Sequence, residues 1–142
     1  MFVDASAIVA VINQEPGWQE IAKRLAEVQG RCLVSPLVRF EAALAVARAA
    51  ATKGGGEAKP TLAMFATSRE LVDAVFAEFE ASEIEISGDI GQRALDAAAT
   101  YGKALGHPAD LNFGDCFAYA CARQHKVGLI YKGDDFARTD LA

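Results

Sequence analysis

Four short apolar segments, separated by longer helical stretches, constrain the fold of this chain more than any other feature of its sequence. They lie at residues 2–3, 32–34, 84–86 and 127–131, and the last is the clearest β-strand. Apolar residues between them recur at helical spacing, as at Ile21, Leu25 and Val28. Strands that alternate with helices form a parallel sheet with both faces covered. In such sheets ligands bind beyond the carboxyl ends of the strands, near the point where the strand order reverses.

Polar residues and prolines mark several helix starts. Ser35 and Pro36 combine an N-cap residue with a proline at the first helical position, before a long alanine-rich stretch. Asn112 is the expected cap of a later helix. The helix that carries the apolar stripe of Leu71, Val75 and Phe79 has two possible starts, a capping box at residues 67–70 or a position near Pro60.

The size of the chain indicates one domain spanning residues 1–142. Its 142 residues are 52% hydrophobic and 23% charged, which excludes a disordered or low-complexity chain. No apolar stretch approaches the length of a membrane span, and Asp4 stands where a signal peptide would carry basic residues. We therefore expect a cytoplasmic protein with no membrane association.

Charge and cysteine content restrict the function further. A net charge of −5 argues against a protein that coats nucleic acid through bulk positive charge, although a local nucleic-acid site remains compatible with it. The three cysteines show no CxxC pairing, so buried thiols are expected rather than disulfides or a zinc ribbon. With only two histidines, any bound metal must be held by oxygen.

Acidic residues collect at the ends of the predicted strands. Asp4 ends the first strand, and Asp134 and Asp135 follow the last. Glu41 and Asp115 lie near helix starts and have apolar neighbours three and four residues away. A charge that faces a packed surface is costly unless it is compensated, and converging acids raise one another's pKa. A divalent cation would remove both costs.

Each of these acids also has a purely structural interpretation, which is weakest for Glu41. Asp115 would favour a helix macrodipole, Asp4 or Ser6 could cap the first helix, and Asp134 and Asp135 could be turn residues. Their joint placement nevertheless favours a carboxylate site for Mg²⁺, with Mn²⁺ as the alternative ion. The chemistry best suited to such a site is hydrolysis of a phosphoryl ester.

Four blocks of this sequence resemble the motifs of PIN-domain nucleases. They are FVDASA at 2–7, LVSP at 33–36 leading to FEA at 40–42, LNFGDCFAYA at 111–120, and LIYKGDDF at 129–136 followed by TDL at 139–141. The third and fourth blocks are the most specific. The combination is most similar to VapC-type toxins of bacterial type II toxin–antitoxin pairs, and the resemblance extends from residue 2 to residue 141.

The resemblance implies an endoribonuclease that depends on Mg²⁺ and is neutralised by a cognate VapB-type antitoxin. It also implies a homodimer and a larger toxin–antitoxin complex, with RNA as the substrate. The expected fold is a three-layer α/β/α sandwich with a central parallel sheet of four to five strands.

The resemblance also assigns roles to individual residues. Asp4 and Asp115 match the principal metal ligands, and Glu41 matches the acid of the second motif. Asp134 is the predicted fourth acid, with the adjacent Asp135 as the alternative, and these four acids are the predicted catalytic and metal-binding set. Ser6 matches a small polar residue that orients the first aspartate.

Basic residues beside the acids are candidates for contacts with RNA phosphates. Lys132 and Arg138 are the first choice, and Arg39 and Lys103 are secondary candidates. For each of them singly, a solvated surface charge is the alternative interpretation.

Two other functions stay open on the sequence alone. One is a PIN-fold binding module without catalysis, and the other is a different metal-dependent phosphoesterase. Phosphotransfer through an aspartyl phosphate fits less well, because a second acid is required near the nucleophile and Asp4 is followed by Ala5 and Ser6. Turnover that requires a metal would separate the nuclease from the binding module.

Overall fold

A four-stranded parallel sheet forms the centre of the fold. The computed structural model describes residues 1–53, 55 and 58–142. The strands are β1 (Phe2–Val3), β2 (Leu33–Val34), β3 (Ser82–Glu83) and β4 (Leu129–Ile130), in the order β3-β2-β1-β4. Phe2 of β1 is in register with Leu33 on one side and Leu129 on the other. The strand order therefore reverses between β1 and β4, which is where parallel sheets usually bind ligands.

Helices flank the sheet, which confirms the predicted α/β/α layers. They are α1 (Ala5–Asn13), α2 (Trp18–Glu27), α3 (Pro36–Thr52), α4 (Leu62–Glu78), α5 (Gly88–Tyr101) and α6 (Phe113–His125). The side chain of Thr61 caps α4 by accepting a hydrogen bond from the Met64 amide. The earlier of the two predicted starts for α4, near Pro60, is therefore correct.

The third strand begins earlier than the sequence predicts. The apolar pattern indicates residues 84–86, whereas β3 covers Ser82–Glu83, and the Ile84 amide still donates to the Val34 carbonyl at 2.8 Å. Both residues of β3 are exposed at the edge of the sheet. An edge strand pairs through its backbone and needs no apolar side chains of its own, so its bounds leave little trace in the sequence.

The sheet and the packed helix faces enclose one core. Five large core residues from strands and their flanking segments are at most 1% exposed: Phe2, Val3, Val34, Ile130 and Phe136. All three cysteines are buried and free, as the sequence predicts. Among the described residues, no helix combines the length and apolar character needed to cross a lipid bilayer.

Candidate active site

Asp4 stands at the carboxyl end of β1 and begins α1. Its amide donates to the Ile130 carbonyl at 2.9 Å, which continues the pairing with β4. Its carboxylate Oδ2 accepts hydrogen bonds from the Ser6 amide at 2.9 Å and from the Ser6 hydroxyl at 2.5 Å. Ser6 Oγ in turn accepts the Lys132 amide at 3.0 Å. Ser6 therefore ties the Asp4 carboxylate to the chain that leaves β4.

Asp115 occupies the first turn of α6 and is only 7% exposed. It forms a capping box with Asn112, because the Asn112 amide donates to Asp115 Oδ2 at 2.8 Å and the Asp115 amide donates to Asn112 Oδ1 at 3.1 Å. These two bonds satisfy backbone groups at the start of α6 and hold the carboxylate in place.

Glu41 projects from α3 against the start of α6. Its carboxylate lies so close to Gly114 that a Cβ added there would clash with both carboxylate oxygens and with Cδ. The absence of a side chain at Gly114 creates the space that the Glu41 carboxylate occupies beside Asp115. Sequence reasoning missed this role of Gly114, although its position immediately before the acid of the third motif was visible.

Five carboxylates line one cavity of about 450 Å³, which we call the acidic cleft: Asp4, Glu15, Glu41, Asp115 and Asp135. The predicted Asp134 is not among the described residues that line it, so the structure places the alternative, Asp135, at the cleft instead. Gly133, with φ of +97°, turns the chain after β4, and Asp135 Oδ2 lies 3.8 Å from where a Gly133 Cβ would be. The geometry of this turn decides which of the two adjacent acids lines the cleft, and the local sequence pattern does not reveal it.

Burial and mutual repulsion raise the pKa of three of these acids. Burial is the main cause for Asp4, and the neighbouring Asp135 adds to it, while hydrogen bonds from Ser6 oppose the rise. The pKa of Glu41 rises to about 7 through burial and the charges of Asp4 and Asp115. Burial raises the pKa of Asp115 to about 6, against the Asn112 hydrogen bond and together with the nearby acids. Burial and the neighbouring acids therefore make the ionised form of these three carboxylates costly.

The acids of the cleft fit a divalent cation in type and charge. Carboxylate oxygens are the ligands that Mg²⁺ and Mn²⁺ prefer. Gly114 leaves room for the Glu41 carboxylate at the cleft. Among the described residues, no three acidic, histidine or cysteine side chains already stand close enough to form a coordination shell. Mg²⁺ usually keeps several waters and takes one or two carboxylates directly, so acids spaced around a cleft suit it.

Two basic residues line the acidic cleft. Lys132 was predicted as an RNA contact and lies there. Arg48 also lines the cleft and was missed, although it follows Glu41 by seven residues and so lies on the same face of α3. Glu15 is a further lining residue that sequence reasoning did not select.

The other basic candidates are engaged elsewhere. The guanidinium of Arg138, which is not among the described lining residues, donates to the Pro108 carbonyl at 3.3 Å. Arg39 pairs with Asp73 and Glu83. Lys103 pairs with Asp110 at 3.6 Å.

A larger cavity of about 790 Å³ lies between α5 and α6. Its walls are mainly glycine, alanine, leucine and phenylalanine, including the exposed Phe113 and Leu95. None of its described lining residues is an acid. Of these two cavities, the acidic cleft is the one with carboxylates that could bind a metal ion, and it is therefore the candidate active site.

Comparison with protein families gives a match along almost the whole chain. A model of the PIN domain matches residues 1–141. A VapC ribonuclease of Rhizobium meliloti is 52% identical over 142 residues, covering 99% of this chain and 98% of the relative. Ribonuclease VapC42 of Mycobacterium tuberculosis is 32% identical over 141 residues, covering 99% of this chain and 96% of the relative.

Two solved structures share the fold at low sequence identity. A toxin–antitoxin complex from Klebsiella pneumoniae contains a chain with a TM-score of 0.65 and 17% identity, covering 99% of this chain and 92% of that one. Mycobacterium tuberculosis VapC20, described as a Sarcin-Ricin loop cleaving toxin, has a TM-score of 0.63 and 17% identity, covering 96% of this chain and 92% of that one. At this identity the two structures support the α/β/α fold alone.

Proposed function

This chain belongs to the PIN domain family, and from that premise we propose that it is a VapC-type ribonuclease that hydrolyses RNA phosphodiester bonds with Mg²⁺. The nuclease activity is supported by relatives that are named ribonucleases and that this chain matches over nearly their full length. The ion and its ligands are proposed from the acidic cleft, and the partner from the relatives.

One observation carries the proposal. Asp4, Glu41, Asp115 and Asp135, from four separate parts of the chain, line a single cleft with Glu15 where the strand order reverses, and only two basic side chains of the described residues line it with them. A structural role would not require them to converge, because converging carboxylates repel one another. A cation together with the phosphate it attracts would make the arrangement favourable.

Asp4, Glu41, Asp115 and Asp135 are the residues that would hold the ion, directly or through its bound waters. When bound, Mg²⁺ lowers the pKa of a water molecule and offsets the negative charge of a phosphodiester. Ser6 holds one oxygen of Asp4, and Asn112 holds one oxygen of Asp115, so both carboxylates keep a fixed orientation.

Glu41 connects metal binding to pH. With its pKa raised to about 7, the metal-free Glu41 carboxyl holds a proton through the acidic range. That proton must leave before the carboxylate can act as a ligand, so Mg²⁺ affinity is expected to increase as the pH rises through 7. Mn²⁺ is the alternative ion, because it accepts the same ligands.

The partner we propose is an antitoxin of the VapB type, in a complex that contains a toxin homodimer. The support is that one structural neighbour is a toxin–antitoxin complex and that relatives are VapC proteins. A basic side chain of the antitoxin entering the acidic cleft would block it by charge complementarity. A complex structure in which the cleft stays open to solvent would contradict that mode of inhibition.

The deciding experiment is cleavage of total cellular RNA by the purified chain without its antitoxin. We expect discrete products with Mg²⁺, none with a chelator, and none with Asp115→Asn. The Asn side chain preserves the size of Asp115 and removes the charge, so a folded variant isolates the ligand role.

The alternatives give different outcomes in the same assay. A folded wild-type protein without metal-dependent cleavage would favour a PIN-fold binding module. Hydrolysis of a simple phosphodiester but not of RNA would favour another metal-dependent phosphoesterase. Equal cleavage by wild type and Asp115→Asn would contradict the proposed site.

A further inference from the structure

Arg48 belongs to the wall of the acidic cleft that α3 provides. Glu41, Leu44, Ala45 and Arg48 all line the cleft, and their spacing of three, four and seven residues puts them on one helix face. Seven residues of helix rise by about 10 Å, so Arg48 lies roughly two turns from the Glu41 backbone. Arg48 is exposed, whereas Asp4 and Asp115 are buried. Arg48 therefore stands at the rim, and Asp4 and Asp115 stand deeper.

The charge of Arg48 is not used by the described part of the chain. Among the described residues, Arg48 has no carboxylate oxygen within 4.0 Å of its guanidinium, in contrast to Arg39, Lys103 and Arg123. Arg48 is thus a cation beside the acidic cleft that forms no ion pair with the described acids.

We propose that Arg48 binds a phosphate of the RNA strand that flanks the scissile bond, and so positions the substrate across the acidic cleft. A guanidinium presents several N–H donors in a planar fork that matches phosphate oxygens. Its place at the rim, about two helical turns along α3 from Glu41, suits a phosphate that flanks the scissile bond. Lys132 lines the cleft from the β4 side, so the two cations mark two sides of that path.

The inference about Arg48 rests on the proposed ribonuclease function. Two measurements distinguish a failure of the Arg48 inference from a failure of the proposed function. The first is binding of a fluorescein-labelled 20-nucleotide single-stranded RNA of mixed sequence, followed by anisotropy in Mg²⁺ over a series of salt concentrations. The protein carries Asp115→Asn so that the RNA stays intact. Arg48→Ala should weaken binding roughly fivefold to tenfold near 0.1 M salt and reduce the slope of log Kd against log salt by about 0.7.

Two further variants control for charge and location. Arg48→Lys keeps the charge and should retain the salt slope, with a smaller loss of affinity because the planar fork is gone. Arg69→Ala removes an exposed arginine of α4 that is not among the described residues lining the cleft. This variant should bind RNA with the affinity of its parent. A structural role of Arg48 would change the melting temperature and leave the salt slope intact.

The second measurement is Mg²⁺-dependent cleavage of total RNA by Arg48→Ala in the chain that retains Asp115. At RNA concentrations below saturation, cleavage should be slower than wild type, and the deficit should shrink as the salt concentration rises, since the counterion release that Arg48 contributes is worth least at high salt. If Arg48→Ala matches its parent in affinity, slope and cleavage, the Arg48 inference is wrong and the nuclease stands. If wild type shows neither cleavage nor RNA binding, the proposed function fails and the inference with it.

Discussion

Individual acids in this chain serve local structure and the cleft at the same time. Asp4 caps α1 and Asp115 completes the capping box of α6. In both carboxylates the hydrogen bonds within the described residues go to Oδ2. Oδ1 of each is therefore left for another partner. The capping and metal-binding interpretations are compatible, because each uses a different oxygen of the same group.

The choice between Asp134 and Asp135 is testable at the scale of one residue. Asp135→Asn removes a charge that lines the cleft, so Mg²⁺-dependent RNA cleavage should fall at least about tenfold. Asp134→Asn is the matched control, since it makes the same chemical change one residue away, and it should cleave within about twofold of wild type. Rates measured side by side at saturating Mg²⁺ decide the question. A larger loss in Asp134→Asn would return the role to the residue that the sequence predicted.

At the scale of elements, the approach of α3 to α6 forms the deep part of the cleft. Glu41 on α3 reaches the first turn of α6 because Gly114 has no side chain there. Gly114 does not have positive φ, so its backbone conformation would accept alanine. The constraint on this glycine is the neighbouring carboxylate and not its own conformational freedom.

Gly114→Ala should therefore lower both stability and cleavage. Forcing a methyl group into an occupied space typically costs about 1–3 kcal/mol of unfolding free energy, and here it also displaces the Glu41 carboxylate. Denaturant unfolding of Gly114→Ala, Glu41→Ala and the double variant forms a double-mutant cycle. With Glu41 shortened, the added methyl should cost little. An equal cost in both backgrounds would mean that Glu41 is not the group that excludes the side chain.

At the scale of the whole molecule, the raised pKa values of the acids in the cleft lower the stability of the metal-free protein near neutral pH. The sheet order brings the chain after β1 beside the chain after β4, and α3 and α6 add their acids to the same place. The folded pKa of Glu41 is about 7 against an ordinary 4.5, and that of Asp115 is about 6 against 3.8. Between these values the folded state holds more protons at these groups than the unfolded state, so their contribution makes stability fall as the pH rises.

Metal-free protein should accordingly lose stability from these two acids between about pH 4 and pH 7, and Mg²⁺ should restore it. We expect saturating Mg²⁺ to raise the melting temperature by about 2–8 °C at pH 8 and by clearly less at pH 5. Circular dichroism melts with Mg²⁺ and with chelator at both pH values test this. Glu41→Gln serves as the control that leaves the other carboxylates in place. The Mg²⁺-induced rise in its melting temperature should depend less on pH than that of wild type. A Mg²⁺ effect of equal size at both pH values would contradict the linkage.

The sequence by itself determined the layers of the fold and most residues of the candidate site. Alternation of apolar segments with helices predicts a parallel sheet, and the motifs around Asp4, Glu41 and Asp115 select three acids that the structure brings to one cleft. These features are local: a strand, a cap or a helical stripe depends on residues within a few positions of one another.

Only the tertiary structure decided the features that depend on the relative placement of distant segments. The turn at Gly133 brings Asp135 to the cleft instead of Asp134, and the helix contact gives Gly114 its role against Glu41. The same geometry turns Arg48 from one surface cation among many into a side chain at the acidic cleft. Sequence patterns record which face of an element a residue occupies, whereas the distance to groups on other elements is set only when those elements pack.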